Sequence, residues 1–181
     1  CRRPTEGARV HSDSPRAHHS QRMVLELLQS DATPEHAHTP DSELDHWSEV
    51  LDVGMPRSGG RRQPPADLSH PAIAVNLDAC IQCTRCVRAC RESQANDVIG
   101  LAGRGAQARI VFDLEDPMGD SSCVGCGECV QACPTGALMP AHGAGLLPVE
   151  SRVDSVCPYC GVGCQLTYHV ADNRILRVEG R

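Results

Sequence analysis

Apolar positions recur at helical spacing in one long stretch near the start of the chain. In residues 14–30, Met23, Val24, Leu27 and Leu28 form a stripe. Ser14 stands where an N-cap accepts a backbone amide and Pro15 where the first turn tolerates proline, so the pattern predicts a packing helix. Residues 31–70 turn polar, proline-rich and histidine-bearing and close on "MPRSGGRRQPPADLSHP", a composition that buries little and predicts a linker. Period-two patterns come later. Residues 98–102 and 108–112, joined through Gly103, Arg104 and Gly105, predict one hairpin. "QLTYHV" and "RILRVEG" predict a second across "ADN", with Leu166, Tyr168 and Val170 on one face.

Composition narrows what these elements can enclose. Aromatics make up 2% of 181 residues, while 13 prolines and 16 glycines interrupt the chain, so a large aromatic core is excluded. Small units of this kind are usually held by disulfides or metals, and 12 cysteines are present for either use. A net charge of -6 and a pI near 5.8 argue against a nucleic-acid footprint. No run of about eighteen apolar residues predicts a membrane span. Cys1 at the start and "LRVEGR" at the end read as an excerpt of a longer protein; a mature lipoprotein also begins with cysteine, but no export signal is seen.

The cysteines form a repeat. "CIQCTRCVRAC" sets Cys80, Cys83, Cys86 and Cys90 at gaps of two, two and three residues, and "CVGCGECVQACP" does the same with Cys123, Cys126, Cys129 and Cys133. Three cysteines so spaced let one tight loop present three thiolates while its amides point inward. Cys86 and Cys90, four residues apart, are separated by a helical rise of about 6 Å, so Cys90 is poorly placed to close the same cubane and better placed to reach a neighbour. Two-cluster ferredoxins use such crossed ligation. The expected ligand sets are therefore Cys80, Cys83, Cys86 and Cys133 for one 4Fe-4S cluster, and Cys123, Cys126, Cys129 and Cys90 for the second. A disulfide scaffold needs no such repeat, and zinc ribbons use separated C-x2-C pairs rather than triplets. Pro134 follows Cys133, whereas Arg91 follows Cys90, which lets the helix there run on toward Gln94.

"CPYCGVGC" adds Cys157, Cys160 and Cys164, with Gly161 and Gly163 letting the backbone wrap close to an inorganic core. This loop resembles the N-terminal cluster domain of molybdenum or tungsten bis-molybdopterin guanine dinucleotide oxidoreductases, among them formate dehydrogenases and assimilatory nitrate reductases. The resemblance implies a third 4Fe-4S cluster whose fourth thiolate lies beyond Arg181. A three-cysteine open cluster, or a zinc knuckle completed by His169, remains open.

Taken in order, "NDVIGLAGRG", "IVFDLEDPMGDSSCVGCGECVQACPTGAL" and "CPYCGVGC" resemble the catalytic alpha subunit of soluble NAD-linked formate dehydrogenases. The resemblance implies an α+β, multi-module iron–sulfur architecture. Residues 1–13 would end a plant-type 2Fe-2S domain whose last ligand is Cys1. Residues 14–52 would be a helix and a degenerate cluster segment, and 53–70 a linker. Residues 71–143 would be the two-cluster ferredoxin-type domain and 150–181 the start of the bis-molybdopterin-type domain. Many relatives, including the large iron–sulfur subunit of NADH dehydrogenase, carry one histidine and three cysteines after the first helix. "SDATPEHAHTPDSELDHW" has no cysteine, so that cluster is expected to be absent. His36, His38 and His46 are a candidate metal set, with solvated loop histidines as the simpler reading. His11, His18, His19, His70 and His142 are read as solvated, and Arg57, Arg61 and Arg62 as linker charges.

The function so implied is electron relay. Electrons from formate oxidation to carbon dioxide at a Mo- or W-bis-molybdopterin guanine dinucleotide centre would pass through the clusters toward NAD reduction. NAD and FMN would sit on partner subunits, and no catalytic residue lies in this stretch. Cytoplasmic residence is expected, because the cysteine usage suits clusters better than disulfides. The alternatives are a nitrate reductase relative, the large iron–sulfur subunit of NADH dehydrogenase, or a stand-alone ferredoxin-type carrier.

Overall fold

The computed structural model describes residue 3 and residues 5–32, 42–60, 64–141 and 148–181. Cys1, His36, His38, Arg61, Arg62 and His142 lie outside the described residues. Helix α1 (Pro15–Asp31) begins where the cap pattern places it: the Ser14 hydroxyl accepts from the Ala17 amide at 3.2 Å, and Pro15 occupies the first turn. Its stripe is less buried than a packing helix requires, since Val24 and Leu27 are 56% and 59% exposed.

Helix α2 (Glu43–Val50) interrupts the stretch that composition reads as linker. Ser42 caps it, accepting from the Asp45 amide at 3.3 Å, and Glu43 and Asp45 in its first turn complement the helix dipole. It buries Leu44 and Ser48 and packs beside α1. Polar composition hides such a short helix, which tertiary contact stabilises. Arg57 is exposed, as a linker charge should be, but it is paired. Its backbone N–H and guanidinium all donate to Glu26 on α1, at 2.6–3.1 Å, lowering the Glu26 pKa and raising that of Arg57 through those hydrogen bonds.

The central unit is closed by strand β1 (Ile73–Val75) pairing antiparallel with β4 (Leu138–Pro140), so that residues 73–75 and 138–140, its two ends, lie together. Between them come helix α3 (Arg85–Arg88), continued by a π turn (Ala89–Ser93), the hairpin β2 (Ile99–Ala102) and β3 (Arg109–Phe112), and helix α4 (Glu128–Ala132). Arginine after Cys90 does let the helical backbone continue to Gln94, which caps it, but in π geometry. The core is aliphatic: Ile73, Val75, Leu77, Val87, Val98, Ile99, Ile110, Met118 and Leu138 surround Phe112, the sole phenylalanine. Asp67 belongs to this unit rather than to a free linker. It forms a β-bridge to Val75, and its carboxylate accepts from the amides of Ser69 and Met118 at 2.9 and 2.7 Å.

A three-stranded antiparallel sheet follows: β5 (Ser151–Val156), β6 (Gln165–Ala171) and β7 (Arg174–Gly180) in that order. The β6–β7 connection has positive φ at both Asp172 and Asn173, the geometry whose twist suits a two-residue hairpin. Strand β5 is absent from the sequence reading, for it is exposed along its whole length and exists by pairing with β6. Cross-strand pairing puts Val153, Tyr168 and Val178 on one face, while Arg152, His169 and Arg177 share the other.

Candidate iron–sulfur centres

Each cysteine triplet is shaped by the same backbone. In the first, Gln82 and Thr84 have φ of 56° and 58°; at the equivalent positions of the second, Gly125 and Gly127 have 67° and 78°. The left-handed turns direct amides inward, so that the Gln82 amide donates to Cys80 Sγ and the Gly125 amide to Cys123 Sγ, both at 3.4 Å. Glycine adopts this conformation freely, but Thr84, β-branched, holds it under strain.

The two triplets open onto separate apolar cavities. One is lined by Cys80, Cys83 and Cys86 together with Cys133, and its remaining wall is largely aliphatic, including Leu77, Ile81, Ile110 and Leu138. The other is lined by Cys123, Cys126 and Cys129 together with Cys90, beside Ile73, Val98 and Ile99. Pairing of β1 with β4 carries Cys133 back beside the first triplet, and the α3–π segment carries Cys90 toward the second. The Val98 amide donates to Cys90 Sγ at 3.4 Å.

Electrostatics divide the thiols in the same way. Cys86 is pushed up to about 12 by burial, then by Cys80, Cys133 and Cys83, with Cys129 a lesser neighbour. Cys129 is likewise pushed up to about 12 by burial, then by Cys123, Cys126 and Cys90. The effect of Cys129 on Cys86 marks the two cavities as neighbours. Among the described residues no three His, Cys, Asp or Glu side chains converge to hold a single metal ion. Four soft donors spread around an apolar void fit a polynuclear iron–sulfur guest better than one tetrahedral ion.

The third loop differs. Cys157 is half-buried, while Cys160 and Cys164 are exposed at the turn between β5 and β6. The Cys157 amide donates to the Cys164 carbonyl at 2.8 Å, and Gly161 and Gly163 both have positive φ. His169 is 1% exposed and engages Glu179 Oε2 through Nε2 at 2.9 Å inside the sheet. His46 is exposed on α2 with its ring edge-on to Trp47 at 5.4 Å. His11, His18 and His19 are exposed as well.

His70 is a correction. Read from sequence as solvated, it is buried, and its Nδ1 accepts from the amides of Ala72 and Ile73 at 3.1 and 3.2 Å, which puts the ring proton on Nε2. The ring lies against Gly125 in the second triplet; a Cβ there would sit 3.6 Å from Cε1. No local pattern marks this role, which depends on a loop more than fifty positions away.

Two family models match the chain. Residues 70–139 match the ferredoxin-like domain of NADH-quinone oxidoreductase subunit 3, and residues 150–181 match the molybdopterin oxidoreductase Fe4S4 domain. Among curated relatives, an NADH-quinone oxidoreductase subunit of Rhizobium meliloti is 37% identical over 111 residues, covering 60% of this chain and 13% of the relative. A Staphylococcus haemolyticus protein with the provisional name formate dehydrogenase is 29% identical over 149 residues, covering 60% and 15%. The chain thus spans only a small part of these relatives. The crystal structure of an NAD+-reducing nickel–iron hydrogenase in its H2-reduced state shares the fold, with a TM-score of 0.63 and 24% identity over 71% of this chain and 57% of that one. The chain is an α+β iron–sulfur electron-relay region, joining a ferredoxin-like domain to a molybdopterin-oxidoreductase-type Fe4S4 domain.

Proposed function

We propose that the first cavity holds a 4Fe-4S cubane through Cys80, Cys83, Cys86 and Cys133, and the second holds another through Cys123, Cys126, Cys129 and Cys90. The supporting observation is that each cavity is lined by one motif's triplet and the other motif's fourth cysteine. Cys157, Cys160 and Cys164 would supply three ligands of a further cluster, and Cys1 one ligand of a 2Fe-2S cluster. Such clusters, when bound, supply one-electron steps. The chain's own part is to hold thiolates in place, exclude water with Ile73, Ile110 and Leu138, and direct the Gln82, Gly125 and Val98 amides at sulfur, which makes reduction easier.

We infer further that this relay serves a formate dehydrogenase catalytic subunit carrying a Mo- or W-bis-molybdopterin guanine dinucleotide, with NAD and FMN on partner subunits in the cytoplasm. The Fe4S4 match at residues 150–181 and the provisionally named relative support this reading. The match at residues 70–139 and the 37% identical relative favour a second, a subunit of an NADH-oxidising complex. Anaerobic addition of formate to the full-length protein with its partners separates them. Formate that reduces the cubanes, followed by NAD reduction, supports the first; reduction by NADH with no response to formate supports the second.

A further inference from the structure

Glu43, the first residue of α2, touches both segments whose cysteines line the first cavity. Its backbone N–H donates to the Pro134 carbonyl at 2.7 Å, and its carboxylate receives Arg85 Nη1 at 2.7 Å and Nη2 at 3.2 Å. Pro134 follows Cys133, and Arg85 precedes Cys86. One residue of the helical pair thus ties a loop of the first motif to the end of the second. The second cavity has a different arrangement: Arg91, next to Cys90, pairs with Asp97 only six residues along, at 2.7 Å.

We infer that Glu43 is a positioning residue for the first cavity, clamping Arg85 and Pro134 together and offsetting the Arg85 charge so that the cluster held there is harder to reduce. The inference rests on the ligand assignment proposed above. The ion pair is half-exposed, 44% for Arg85 and 52% for Glu43, so its contribution to folding is small. Its importance lies in position, because the Arg85 guanidinium interacts electrostatically with Cys83 and Cys133. Reduction adds an electron to the cluster, so a bare guanidinium at this place favours the reduced form and a paired carboxylate opposes it.

The test is redox titration, followed by EPR, of the cluster-loaded chain and its Glu43→Gln variant, in which the amide still reaches Arg85 without charge. The expected result is unchanged iron content, a several-fold rise in the reduced fraction of one cluster at fixed poise, and no change in the other. The difference shrinks as ionic strength rises. Arg85→Gln alone moves that cluster the opposite way, and the double variant returns close to the parent. In a Cys90→Ala background the Glu43→Gln shift persists; in Cys133→Ala it disappears. Equal shifts in both clusters, persistence in Cys133→Ala, or no shift with iron intact would overturn the inference. A parent chain that binds no iron would overturn the underlying ligand assignment as well.

Discussion

Pairs of cysteine substitutions distinguish crossed from within-motif ligation, because the two arrangements predict opposite iron counts. The experiment is cleanest with Cys157, Cys160 and Cys164 replaced by serine, which removes the third loop's thiols and leaves the two apolar cavities untouched. Each cavity contains four cysteines and shares none with the other. Two loaded cavities hold about eight irons and the loss of either leaves about four. Cys80→Ala and Cys133→Ala line the same cavity, so the double variant retains about four irons, no fewer than either single variant. Cys80→Ala with Cys90→Ala removes one ligand from each cavity and brings iron toward zero. Iron and acid-labile sulfide per chain, with EPR after dithionite, provide the counts. The reverse pattern, iron lost from Cys80/Cys133 and half kept by Cys80/Cys90, would refute the geometry.

Other expectations follow from individual residues. Thr84→Gly relieves a left-handed conformation in a β-branched residue and should stabilise the chain by about 1 kcal/mol in urea unfolding, whereas Gly127→Thr should destabilise it; equal effects would contradict the strain. His70→Ala leaves the Ala72 and Ile73 amides without their acceptor and should cost about 1–3 kcal/mol, measured the same way. The metal-free protein should weaken in alkali. Cys86 and Cys129 are raised in the folded state to about 12, above an unfolded value near 8.5, so their stabilisation is whole below about pH 8.5 and declines toward pH 12. The slope is at most about 1.4 kcal/mol per pH unit for each thiol. All 17 Lys and Arg residues are arginines, so no lysine titration obscures the effect. An unfolding midpoint that stays flat from pH 8.5 to 11 would contradict this burial.

The legible parts of the fold were those with a local cause. Ser14 and Pro15 mark the start of α1, and the alternating residues of β2, β3, β6 and β7 mark two hairpins, because cap and period are written in neighbouring positions. Cysteine spacing alone puts three thiols on one loop. The four-residue gap to the fourth also points it toward the other motif, but the contact that brings Cys133 back beside the first triplet, β1 pairing with β4 across more than sixty residues, is not written locally. Strand β5 carries no buried face to produce a pattern, and α2 is too short for its stripe to outweigh the polar residues around it. Glu43 and His70 matter through partners distant in sequence, Pro134 with Arg85 in one case and the Gly125 loop in the other. The repeat itself was plain from the cysteine spacing, but the left-handed turns at Gln82 and Thr84 were not, since glycine marks these turns only in the second motif.

The most direct measurement is the metal and sulfide content of the chain after anaerobic reconstitution with iron and sulfide, paired with EPR of the dithionite-reduced sample. About eight irons with matching labile sulfide are expected from the two cavities, any iron at the third loop adding to that, together with the signal of two neighbouring reduced cubanes. Zinc in place of iron, or iron without a paramagnetic signal on reduction, would contradict the two-cubane assignment.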